Sequence, residues 1–242
     1  MRMVHFVAAL AAVSTLGACN VLAHTNDNRD AAQPSGGTAG ARSYALSGFT
    51  GVSLAGHDNV VVTHGDSFAV SASGAAAALD QLILRVRDGK LEIRRTSEGT
   101  LVRAKLTVRV TMPLLRSASV AGSGNLQADQ LSGDAARISV AGSGDVRIAA
   151  VSADALDVSV AGSGQVHAAG RADSADISVA GSGDVDAPNL QLASSSVSVA
   201  GSVQTRVTGS ASINIGGSGD VTLTGGAQCA IRRAGSGTAN CS

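Results

Sequence analysis

Aromatic residues are almost missing from this chain of 242 residues: no tryptophan, one tyrosine, three phenylalanines, and none after Phe68. A core without rings has to be slim and filled by Val, Ile, Leu and Ala. A surface without rings has nothing on which nucleobases stack, so nucleic acid is not an expected partner. Lysine and glutamate are absent from residue 117 onward, which leaves six arginines against ten aspartates there. No apolar run outlasts Val4 to Leu16, too short to remain as a membrane span. Formal net charge is zero, yet 44% of residues are apolar and the pattern is periodic, which argues against disorder.

What the chain has instead is glycine, 30 residues of it, and a repeat. Val-Ala-Gly-Ser-Gly occurs at Val120 to Gly124, Val140 to Gly144, Val160 to Gly164 and Val179 to Gly183. A broken copy follows at Val199 to Val203, then Gly217-Ser218-Gly219 and Gly235-Ser236-Gly237. Between first glycines the steps are 20, 20, 19, 20, 16 and 18 residues, with Val203 standing where a second glycine is expected. A period near 20 is the mark of a solenoid. Each copy follows an alternation such as Leu156-Asp157-Val158-Ser159-Val160, the period of a half-buried strand. The unit is therefore strand, glycine corner, strand, polar corner, and only stacking buries its apolar side. The fold class is all-β: a parallel β-helix of about 20 residues per coil.

Stacking sets equivalent residues in columns about 4.8 Å apart. The column after the glycine corner is expected to hold Asn125, Asp145, Gln165, Asp184, Gln204, Asp220 and Thr238. Others are Asp134, Asp154 and Asp173; Arg137, Asp157, Asp176, Ser196 and Ser212; and the serines Ser119, Ser139, Ser159, Ser178 and Ser198.

Ahead of the repeats, residues 1–18 have the form of a signal peptide, with Arg2 before the apolar stretch. Leu16-Gly17-Ala18-Cys19 resembles the lipobox of bacterial lipoproteins, which implies lipid attachment at Cys19 and membrane lipid as a partner. Asn20 follows in place of the aspartate that favours inner-membrane retention, so the outer membrane is the expected site. Residues 19–43, polar and bearing Gly and Pro, are read as a flexible tether. Residues 44–116 are read as a β-rich region that caps the open end of the β-helix of residues 117–242. Within it, Asp88-Gly89-Lys90 between Leu84-Arg85-Val86-Arg87 and Leu91-Glu92-Ile93-Arg94 predicts a hairpin.

Residues 85–116 carry nine cationic side chains, opposed only by Asp88, Glu92 and Glu98. Arg85, Arg87, Arg94 and Arg95 are thus a candidate surface for anionic envelope polymers or for a second copy, against the plainer reading of solvated edge-strand charges. With Cys19 lipidated, Cys229 and Cys241 remain as a disulfide pair securing the last coil. His57, His64 and His167 lack ligand spacing, and neither a metal nor another cofactor is expected. Asp157 and Asp176, one coil apart, have the separation of a glycosidase carboxylate pair. The rod has no Trp, Tyr or Phe to stack a sugar and Arg137 neighbours Asp157, so catalysis is not expected.

The repeated ISVAGSGDV text, preceded by VRDGKLEI and LTVRVTMPLL, resembles the bacterial head GIN domain family, labelled an auto-transporter adhesin, over residues 47 to 240. The resemblance implies a right-handed β-helix, secreted or lipid-anchored in an envelope, and brings no catalytic residues. The expected role is non-catalytic binding or structure in the cell envelope. The alternatives are a polysaccharide-active enzyme and a self-associating scaffold.

Overall fold

The computed structural model describes residues 31–96 and 102–242. The expected signal peptide, the lipobox cysteine Cys19 and the first part of the tether lie outside the described residues. The described residues form a nearly all-β structure built on a β-solenoid of about six turns.

Five long strands, Asn125–Gly142, Asp145–Gly162, Gln165–Gly181, Asp184–Val199 and Ser202–Ile215, pair in parallel, each with the next. Apolar alternation makes them. In the first coil Leu126, Ala128, Leu131, Ala136, Ile138 and Val140 point inward and are buried, and each later coil repeats the series. Every fully buried Val, Leu or Ile contributes about 1.5–3 kcal/mol, so the slim core gains its stability from repetition.

The two glycines of each corner are needed for different reasons. Gly142 has φ +117°, and a Cβ there would lie 2.5 Å from the carbonyl oxygen of Gly122. Gly144 faces inward, where a Cβ would come within 2.4 Å of the carbonyl oxygen of Gly124 and 2.7 Å of Val120 Cγ1. The first glycine permits the bend, and the second lets successive backbones touch.

This geometry corrects the expected gap at Val203. Asp184 pairs with Ser202 and Val185 with Val203, while Gly201 sits against the carbonyl oxygen of Gly183. Gly201 is therefore the inner glycine, and Val203 is an ordinary core residue. The coil has lost the outer glycine and serine of the corner. Counted on the inner glycines Gly124, Gly144, Gly164, Gly183, Gly201, Gly219 and Gly237, the steps are 20, 20, 19, 18, 18 and 18. The repeat tightens evenly; the steps of 20 and 16 came from matching Gly201 to the wrong glycine. The column after the corner accordingly contains Ser202 in place of Gln204.

Residues 44–116 do more than cover an end. Strands Gly51–Gly56 and Asn59–His64 form a coil of the solenoid. One neighbour of that coil is Ser117–Gly122 with 125–128; the other is Lys90–Arg95 with Thr107–Met112. Chain order and stacking order thus differ: the later strands Lys90–Arg95 and Thr107–Met112 lie outside the earlier ones. The antiparallel cap is smaller, comprising Pro34–Thr38, Ala41–Tyr44, Ala69–Ser73, Leu82–Arg87 and the short helix Ala76–Leu79. Pro34–Thr38 and the first three residues of Ala41–Tyr44 fall within the expected tether 19–43, so strand begins ahead of the expected boundary. Pro34–Thr38 pairs with Ala41–Tyr44, which pairs in turn with Ala69–Ser73, and only Tyr44 of the two strands is buried, so their sequence carries almost no apolar signal. The Asp88-Gly89 hairpin forms with positive φ at both residues.

The disulfide Cys229–Cys241 is present, with Cα atoms 6.6 Å apart. Cys229 stacks on Ala211 and Cys241 on Leu223, both core columns. The bridge therefore lies inside the last coil and fills space that apolar side chains occupy elsewhere. Beyond it Ile231, in the column of Ile213, is 39% exposed.

Candidate functional site

The strands that leave the glycine corners form one continuous outer face, built by register. Its first column runs Thr107, Asn59, Asn125, Asp145, Gln165, Asp184, Ser202, Asp220, Thr238. The second runs Arg109, Val61, Gln127, Arg147, His167, Asp186, Gln204, Thr222, Asn240. Because alternate residues of each strand turn inward, these side chains all point out, in rows about 4.8 Å apart. Two shallow concavities lie along the face. One, of about 390 Å³, is walled by Asn59, Asn125, Gln127, Asp145 and Arg147 among others. The next, of about 440 Å³, is walled by Gln165, His167, Asp184, Asp186 and Gln204 among others.

Part of this polarity serves the fold. Asp145 accepts the backbone N–H of Gln165 at 3.2 Å, and Asp220 accepts both N–H (3.0 Å) and Oγ1–H (2.6 Å) of Thr238. Those bonds hold the Asp220 carboxyl below the usual carboxylate range. Asn125 donates to Asn59 at 3.3 Å, and His167 Nδ1 lies 3.2 Å from Asp186. Gln127, Gln165, Gln204 and Thr222 spend no side-chain hydrogen bond on the chain among the described residues.

The basic residues at the other end are not one surface. Arg85 pairs with Glu92 across the hairpin, and Arg87, 62% exposed, lies 3.8 Å from Asp88. Arg94 shares the outward side of its strand with Glu92 and is half-buried. Arg95 turns inward, is 9% exposed, and forms an ion pair with Asp58, which is 2% exposed. Arg95 thus does not belong to an exposed patch. It also donates to the carbonyls of Val102 (2.7 Å) and Ala104 (2.6 Å), while Asp58 accepts the N–H of Leu106 at 2.7 Å. Sequence reasoning missed this pair, although a signal existed: Leu54-Ala55-Gly56-His57-Asp58 matches Val120-Ala121-Gly122-Ser123-Gly124 with aspartate for the inner glycine.

Asp157 and Asp176 do stack one coil apart, with Arg137 3.1 Å from Asp157. Asp157 is 47% exposed on a strand face, so no enclosed site surrounds the pair. Asp134, Asp154 and Asp173 share a column beside Arg171. Among the described residues no group of His, Cys, Asp and Glu is placed to hold a metal ion.

Fold and surface define a β-solenoid with a long polar face and no clustered catalytic constellation on it. The chain belongs to the family described as "putative auto-transporter adhesin, head GIN domain", whose model matches residues 48–227. That membership points to an envelope or surface location. Among solved structures it is similar to a putative adhesin from Bacteroides fragilis (22% identity, TM-score 0.77, covering 84% of this chain and 96% of that one). It is also similar to a putative lipid binding protein from Parabacteroides distasonis (22%, 0.67, 84% and 96%). A putative adhesin from Parabacteroides merdae is a third such structure (18%, 0.66, 84% and 95%). At these identities the likeness establishes the fold. No curated protein matches the chain.

Proposed function

We propose that this protein is a non-catalytic binding module of the cell envelope, held to membrane lipid through Cys19 and displaying its solenoid to a partner outside the cytoplasm. The observation that carries the reading is the polar face: two columns in register over nine rows, on a backbone that successive glycine corners lock together. A rigid backbone of this kind spares binding the cost of ordering the main chain. The lipobox text Leu16-Gly17-Ala18-Cys19 supports the anchor, and family membership supports the envelope. The exposed charges of Arg87 and Lys90 add an attraction for anionic envelope polymers, weakened by salt.

The experiment is co-sedimentation of the anchor-free mature chain with purified envelope fractions across a salt series, with released sugars assayed in the supernatant. Saturable binding without sugar release is expected. Release of sugars would replace the module with an enzyme and direct attention to Asp157 and Asp176. In cells, Cys19→Ser should move the protein from the membrane fraction to the soluble one.

A further inference from the structure

We infer that the polar face takes a neutral polysaccharide chain laid along the solenoid axis, about one sugar per coil. The inference rests on the binding-module reading and adds the surface and the ligand class.

Charge removes one group of partners. The two columns hold four carboxylates, Asp145, Asp184, Asp186 and Asp220, against the guanidinium groups of Arg109 and Arg147. A polyanion, whether nucleic acid or an acidic envelope polymer, is repelled by such a face. Side-chain type removes another. Val61 is the one apolar residue in the eighteen positions and no Phe, Tyr or Trp is present, so the face lacks the buried anchors on which protein interfaces depend, and the apolar area that lipid requires.

What remains is an array of amides, hydroxyls and carboxylates, the donors and acceptors that match a polyhydroxylated chain. Gln127, Gln165, Gln204 and Thr222 are among the residues on it whose side chains make no hydrogen bond among the described residues. The two concavities, of about 390 and 440 Å³, follow one another along the axis, so the groove is longer than any single sugar. Rows about 4.8 Å apart repeat at close to the length of one sugar ring in an extended chain. Without aromatic stacking each ring contributes little, and affinity has to accumulate along the polymer as linked weak contacts do.

Length dependence therefore tests the idea. The anchor-free mature chain would be titrated calorimetrically with dimers and octamers of β-1,4-glucan, of β-1,4-linked N-acetylglucosamine and of mannan. Dextran sulfate would be the anionic control. For at least one neutral series the octamer should bind about tenfold or more tighter than the dimer, with little change between low and high salt. The triple variant Gln127→Ala, Gln165→Ala, Gln204→Ala should lose that gain while keeping the wild-type Tm, since these side chains make no hydrogen bond among the described residues. No binding in any neutral series, binding that ignores length, or an unaffected triple variant would each overturn the assignment. Salt-sensitive dextran sulfate binding that the triple variant weakens would also overturn it, since the hairpin cations Arg87 and Lys90 lie off the face. If envelope fractions still capture the protein while neutral oligomers fail, the binding-module reading survives and this ligand class does not. If both fail, both fall.

Discussion

The corner at Gly56-His57-Asp58 and the corner at Gly142-Ser143-Gly144 turn the chain in the same way by opposite means. In the repeats an inner glycine lies on the carbonyl of the glycine one coil below, and no side chain takes part. At the first corner an aspartate occupies the inner place, buried and paired with Arg95. The difference follows from what lies beneath. Under the repeats lies another short corner; beside Asp58 and Arg95 lie the backbone groups of Val102, Ala104 and Leu106, which need partners. Asp58 and Arg95 supply them to Leu106, Val102 and Ala104. Where chain order matches stacking order, backbone contact suffices. Where a later segment is placed outside an earlier one, a buried ion pair joins them.

Breaking that pair should have the largest effect. Asp58→Ala leaves the Arg95 guanidinium buried without its carboxylate and should cost about 3–5 kcal/mol, read by urea denaturation. A loss below about 1 kcal/mol, the scale of an exposed pair, would mean that strand pairing alone holds the outer coil. Next comes the disulfide. Cys229→Ala with Cys241→Ala should remove about 3 kcal/mol of local stability, seen as faster hydrogen exchange confined to residues 221–242. Faster exchange throughout the solenoid would show that the bridge acts on the whole rod.

On the repeat side of the comparison, Gly144→Ala pushes a Cβ against the Gly124 carbonyl and should cost more than about 1 kcal/mol. Ser143→Ala, at the outer tip of the same corner, should be near neutral. Equal effects would contradict the role given to the inner glycine. The smallest effect concerns pH. Asp220 has a folded pKa below its unfolded value, so the stability it adds is present above the ordinary carboxylate range and is lost as pH falls through the lower folded value. Acid should therefore narrow the Tm gap between wild type and Asp220→Ala; a gap that persists at low pH would assign the effect to packing.

The repeating half was readable because its signal is local and redundant: alternation, Gly-Ser-Gly and spacing all say the same thing. The one misreading there, at Gly201, arose because a deletion inside the corner left a single glycine that text alone matches to either place. The head was harder. Nothing local in Lys90–Arg95 says that it pairs with Gly51–Gly56 across a reversed order, and the strands Pro34–Thr38 and Ala41–Tyr44 are held by backbone bonds with one buried side chain between them. The candidate surface was misjudged for a related reason. Charge counting put Arg95 with Arg85, Arg87 and Arg94, whereas alternation along its strand turns it to the side of Leu91 and Ile93. The polar columns, by contrast, follow from the repeat period.

The most direct measurement of whether that face is the working surface is an NMR titration of the isotope-labelled mature chain with solubilised neutral envelope glycan. Shifts concentrated in the rows containing Gln127, Arg147, Gln165, Gln204 and Thr222, with the hairpin 82–95 unchanged, are the predicted result. Shifts confined to Arg87, Lys90 and their neighbours, with the face silent, would contradict it and return the binding site to the basic end.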